Sequence, residues 1–122
     1  MTEELLQELK KITPEEEKIL RGDKEIEKTL YMSAENNIVD ARKLLEAGKM
    51  IQVRPHTRFV HFPKHTHNYI EVIYMCSGKT RHIINGEEVV LKQGELLFLS
   101  QTATQEIYPA GENDIAVNFI VL

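Results

Sequence analysis

The apolar residues of this chain change their period near residue 50, and that change decides what it can fold into. Up to residue 48 they recur every three or four positions, as on one face of a helix. Leu5, Leu6, Leu9 and Ile12 form the first such stripe. Thr13, Pro14 and Glu16 then mark a helix start: a hydroxyl cap, a proline at the first helical position and the glutamate of a capping box. Gly22 is a stop. Ile26 and Leu30 predict a further short helix in "DKEIEKTLYM". In "VDARKLLEAG", Asp40 is a cap, Val39 can staple onto Leu44, and Gly48 ends the helix.

From Met50 onward the runs are short and rich in Val, Ile, Phe and Tyr: "MIQVR", "TRFVHF", "YIEVIYM", "TRHIIN", "EEVVL", "ELLFL", "TQEIYP" and "IAVNFIVL". Turn residues separate them. Asn85-Gly86 is the strongest of these signals, because both central residues of a type I′ hairpin need positive φ. Eight short strands in about 72 residues predict a small sandwich or barrel. The expectation is a mainly β fold, with a helical segment over 1–49 packed on or swapped onto a β-barrel over 50–122.

Charge narrows the partners. The net charge is -4 and the basic residues form no stripe, so direct contact with DNA phosphates is not expected. No apolar run approaches the roughly 18 residues of a membrane helix. The acidic start "MTEELLQELKK" lacks the form of a secretory signal. Cys76 is the sole cysteine and reads as a small buried hydrophobe. A cytoplasmic location is expected.

The unusual stretch is "HFPKHTHNYIEVIYMCSG", residues 61–78. Extended backbone alternates its side chains, so His65, His67, Tyr69, Glu71, Ile73 and Met75 share one face. Ile70, Val72, Tyr74 and Cys76 share the other. With apolar residues on both faces, a strand covered on both sides is expected. A buried carboxylate needs a partner, and the two imidazoles are the nearest. Two imidazoles and a carboxylate can also hold a divalent metal. A hydrogen-bonded network, or a pocket reading a polar ligand, uses the same residues. His56, His61 and His82 have no such spacing and read as surface or strand-edge residues, although His82 can reach the interior from a neighbouring strand.

This stretch resembles the first cupin motif: His-x-His, three residues, Glu, six residues, Gly. His65, His67, Glu71 and Gly78 match it, and Phe59 stands at its leading glycine. The second motif survives only at Gly94. Ser100, Thr102, Gln105 and Pro109 replace its Pro, Gly, metal-binding His and Asn. Over residues 50–122, with "VDARKLLEAGKMI" as lead-in, the chain is similar to the N-terminal sensing domain of AraC-family transcription regulators, especially those of Gram-positive bacteria. The resemblance implies a cupin double-stranded β-helix, a jelly-roll barrel, behind short N-terminal helices.

The resemblance further implies an effector-sensing and dimerisation domain, not an enzyme. A small polar effector such as a sugar would meet His65, His67, Tyr69, Glu71, Met75 and Gln105. No resident cofactor is expected beyond a weakly held divalent metal on His65, His67 and Glu71, since Gln105 is a poor fourth ligand. The chain stops inside an apolar strand, which suggests a piece cut from a longer protein. In the parent a C-terminal domain with two helix-turn-helix motifs would bind DNA. A homodimer is expected, and no membrane contact. Two other functions use the same residues: a metal-dependent cupin isomerase or dioxygenase, and a cupin interaction module without metal.

Overall fold

The computed structural model describes residues 2–122. Three short helices come first: α1 (Glu3–Lys10), α2 (Pro14–Leu20) and α3 (Ala41–Leu44). α2 and α3 start on the caps expected from sequence, and α1 starts on Thr2. The Thr2 hydroxyl accepts from the Leu5 N–H, and Asp40 accepts from the Arg42 N–H. Thr13 and Glu16 complete the capping box, with Glu16 N–H to Thr13 Oγ1 at 3.1 Å and Thr13 N–H to Glu16 Oε1 at 3.0 Å. The expected helix over "DKEIEKTLYM" shrinks to a single 3-10 turn, Lys28–Leu30. Ile26, Tyr31 and Met32 are buried around that turn, so packing against the barrel overrides the helical pattern.

Nine strands follow or interleave: β1 (Ile38–Val39), β2 (Ile51–Pro55), β3 (Phe62–His67), β4 (Ile70–Ser77), β5 (Lys79–Ile84), β6 (Glu87–Lys92), β7 (Leu96–Leu99), β8 (Gln105–Ile107) and β9 (Ile115–Val121). One sheet has the order β1-β3-β8-β5-β6, the other β2-β9-β4-β7. The two face each other as the jelly-roll barrel expected from sequence. Asn85 and Gly86 join β5 to β6 with φ of 50° and 85°, the positive pair that a type I′ turn requires.

The interior divides into two clusters. Ile73, Met75, Leu91, Leu99, Ala103 and Ala116 fill one part of the barrel. Fully burying each large aliphatic side chain contributes about 1.5–3 kcal/mol. The second cluster joins Val60, Phe62, Tyr69, Ile107 and Ile120 of the barrel to Ile19, Ile26, Tyr31, Met32, Val39 and Ala41 of the N-terminal segment. The segment also enters the sheet itself: β1 pairs with β3 in parallel, Val39 opposite His67.

Two strand expectations change. "TRFVHF" is a bend rather than a strand. Phe59, at the motif's leading glycine position, has φ of 72°. The backbone keeps the left-handed conformation that the motif assigns to glycine, at about 1–2 kcal/mol for a side-chain-bearing residue. The run from 65 to 75 is also two strands in different sheets, interrupted at Asn68 and Tyr69. The alternation survives the crossing: His65, His67, Tyr69, Glu71, Ile73 and Met75 are all buried. The opposite face is less covered than expected. Leu6 and Leu9 of α1 pack over Cys76, Ile115 and Val117, but Ile70 stays 45% exposed.

Candidate functional site

The barrel interior contains a small polar cavity of about 50 Å³. His65, Tyr69, Glu71 and Gln105 line it, as expected, together with Arg54, His56, Thr57, Asn118 and Tyr31. His67 lies behind this wall, stacked on Tyr69 with ring centroids 4.5 Å apart. Met75 is fully buried in the apolar cluster and is not part of the cavity wall.

Backbone carbonyls fix both motif histidines. His65 Nδ1–H donates to the Pro63 carbonyl at 2.8 Å, and His67 Nδ1–H donates to the Tyr69 carbonyl at 2.7 Å. Each ring therefore turns its Nε2 lone pair inwards. His67 Nε2 finds no hydrogen-bond partner and lies 3.7 Å from Glu71 Oε2. Tyr69 Oη donates to the same Glu71 oxygen over a long 3.5 Å. Burial pushes the Glu71 carboxyl up to about 7.

Gln105 is held from the other sheet. His82 Nδ1–H donates to Gln105 Oε1 at 2.9 Å, and the Thr80 hydroxyl donates to His82 Nε2 at 2.7 Å. This relay turns the amide nitrogen of Gln105 away from His82, and that nitrogen has no partner. His82 is 1% exposed and His56 8%. Both are interior residues: His82 reaches the interior from β5, the alternative its strand position allowed, and His56 corrects its reading as a surface or edge position. Strand alternation places His82 inwards on β5, and the turn after β2 carries His56 under the barrel. His61 is the exposed one, 2.6 Å from Glu106.

The metal reading was tested on the donors. The His65 and His67 rings are 6.3 Å apart between centroids, whereas two imidazoles sharing one ion bring them to roughly 5 Å. Gln105 Oε1, at the fourth position, already accepts from His82. Among the described residues no three His, Cys, Asp or Glu side chains converge as a metal site. The arrangement does not fit a resident metal as it stands. It suits a polar ligand met by fixed hydrogen-bonding groups.

Four buried neutral imidazoles make stability depend on pH. Burial pushes His56 and His65 down to about 4, and lowers His67 and His82 from the ordinary 6.5. Between pH 6.5 and 4 the unfolded chain binds protons that the folded chain refuses, so these groups lose stability as pH falls. Glu71 acts oppositely, because its folded form holds a proton between its ordinary 4.5 and about 7. The upward shift of Glu71 offsets the downward shifts of His56 and His65, so the lowered His67 and His82 decide the sign, and stability is expected to fall from pH 7 to pH 5 by no more than about 2 kcal/mol. Urea midpoints at the two pH values measure it; an unchanged or higher midpoint at pH 5 contradicts it.

Two facing sheets of this topology, closed around a polar interior, define a cupin. The chain belongs to the AraC-like ligand binding domain family, whose profile matches residues 50–120. Among curated proteins none matches. Similar solved structures include a cupin protein from Bacteroides fragilis, 24% identical over 61% of this chain and 66% of that one, TM-score 0.46. The Clostridium difficile EutQ protein is 23% identical over 58% and 54%, TM-score 0.45. A predicted oxalate decarboxylase from Thermotoga maritima is 22% identical over 59% and 64%, TM-score 0.48. In each case the chain spans less than two thirds of the other protein's length.

Proposed function

We propose that this domain binds a small polar effector in its lumen, as the sensing part of a transcription regulator in the cytoplasm. The observation that carries the reading is the set of unmet groups inside the barrel. Gln105 Nε2 and Asn118 Oδ1 are buried without a hydrogen-bond partner, and both residues line the cavity. Such groups cost about 1–3 kcal/mol each until a ligand or water meets them. Family membership supports the same reading. Among the described residues no helix is long and apolar enough to cross a membrane. With a net charge of -4, this chain leaves DNA contact to another domain of its parent. A thermal-shift screen of small polar metabolites tests the reading. A stabilising compound should lose its effect in Gln105→Leu; a shift that persists in that variant places binding outside the lumen.

The dimerisation role falls to the outer face of the β2-β9-β4-β7 sheet. Register aligns Val53, Phe119, Val72 and Phe98 in one row across four strands. Ile51, Val53, Ile70, Leu96 and Phe98 are 45–69% exposed. A contiguous exposed apolar row of this kind marks an interaction surface. A second copy of the chain is the proposed cover. Light scattering should report a dimer for the native chain and a monomer for Phe98→Asp. A native chain that stays monomeric at high concentration contradicts the proposal.

The cupin-enzyme reading has less support. It needs an ion on His65, His67 and Glu71, although the two imidazole rings stand too far apart, and a fourth donor that is already engaged. The effector reading needs no cofactor.

A further inference from the structure

Among the described residues, Arg54 is the only cationic side chain other than the imidazoles in the cavity wall. It sits on β2, opposite Asn118 of β9, and both residues line the lumen. The chain has five arginines. Arg21, Arg42, Arg58 and Arg81 each hold a carboxylate, those of Glu17, Asp40, Glu16 and Glu88. Arg54 is partly buried, yet among the described residues it makes no ion pair and no side-chain hydrogen bond. A guanidinium presents N–H donors in a planar fork that matches a carboxylate bidentately.

Two further groups in the same cavity are incomplete. Gln105 is 1% exposed; its Nε2 turns toward the Glu71 carboxyl without completing a hydrogen bond, and a ligand acceptor such as a hydroxyl oxygen can meet it. Asn118 Oδ1 is unmet and calls for a donor. Glu71 is the one carboxyl group in the wall. It faces Gln105, Tyr69 and His67 rather than Arg54, so it leaves the guanidinium free and disfavours a second carboxylate on the ligand.

We propose that the effector is a small hydroxycarboxylate with a single acid group. Its carboxylate sits on the Arg54 guanidinium, and its hydroxyls meet Gln105 Nε2 and Asn118 Oδ1. This refines the lumen reading and rests on it. A neutral sugar would satisfy the two amide groups and leave the guanidinium bare.

Matched probes test the proposal on the intact chain by calorimetry and thermal shift: gluconate against sorbitol, glycerate against glycerol, and inorganic phosphate as the bare anion. At least one acid should bind, at least about tenfold more tightly than its neutral partner and than phosphate. Arg54→Gln should remove that preference, and Arg54→Lys should keep part of it. Equal binding of acid and polyol, or a preference that survives Arg54→Gln, overturns the proposal. Phosphate binding as tight as the acids overturns the hydroxyl half of it. If no probe binds at about 10 mM, the proposal falls for acids of three to six carbons. Gln105→Leu separates the two levels. Binding lost in that variant but indifferent to Arg54→Gln leaves the lumen reading standing without the anion. Binding indifferent to both variants removes the lumen reading as well.

Discussion

Arg58→Ala should lower stability by about 3–5 kcal/mol, the cost of leaving a buried charge without its partner. The Arg58 and Glu16 side chains are 3% and 2% exposed. Arg58 Nε donates to Glu16 Oε2 at 2.8 Å and Nη2 to Glu16 Oε1 at 3.0 Å. The same guanidinium donates to the carbonyls of Glu112 at 2.8 Å and Lys10 at 3.0 Å. One side chain thereby ties the α1–α2 connection to the bend before β3 and to the loop before β9. Burial alone would raise the Glu16 carboxyl, but bonds from Arg58 and Thr13 outweigh it and hold the group below its ordinary range. Urea unfolding of Arg58→Ala, Glu16→Leu and the double variant measures the effect. The double should cost less than the sum of the singles, because it removes both charges together. A loss under about 1 kcal/mol for Arg58→Ala would mean that the pair does not anchor the helices.

Gly78→Ala should cost about 3 kcal/mol, from backbone strain and overpacking combined. Gly78 has φ of 71°. A Cβ there would lie 2.3 Å from Asp114 Oδ1, 2.8 Å from the Asn113 carbonyl oxygen and 2.9 Å from Asp114 Cα. The carboxylate cannot swing aside freely. Its Oδ1 accepts from the Lys79 N–H at 3.0 Å, and its Oδ2 accepts from the Gly111 N–H at 2.8 Å. Gly86→Ala is the control. Gly86 has φ of 85° and nothing within 4 Å of a built Cβ, so it should lose only about 1 kcal/mol. Equal losses at the two positions would mean that the close approach of Asp114 has no energetic weight.

Features carried by adjacent residues could be read before the fold was known. The Thr13–Glu16 box, the Asn85-Gly86 turn and the alternation through His65, His67 and Glu71 are local, and each holds. Alternation cannot reveal that the chain changes sheets at Asn68, because side chains keep pointing inwards through the crossing. The parts played by Arg54 and His82 are not local. Nothing in "QVRPH" tells an interior arginine from an exposed one; its neighbours Glu71, Gln105 and Asn118 come from β4, β8 and β9. The role of His82 depends on Gln105, 23 positions away. The signal that was available is the parity of β5, whose buried Thr80 and Leu91-facing side place His82 on the inner face.

The place of β9 constrains how the protein can be made. β9 is the last strand in the chain, yet it lies between β2 and β4, with Val53 and Val72 both in register with Phe119. During synthesis, β2 emerges early and has no neighbour in its sheet until Val121 is out. β2 must therefore wait, unpaired and open to other nascent chains, for Ile115–Val121, while β4 has only β7 beside it. Acquisition of the fold is a late, single step with a high loop-closure cost. Interruption anywhere before Ile115 leaves β2 without a neighbour and the β4–β7 pair with an open edge, a substrate for chaperones and proteases instead of a smaller functional domain.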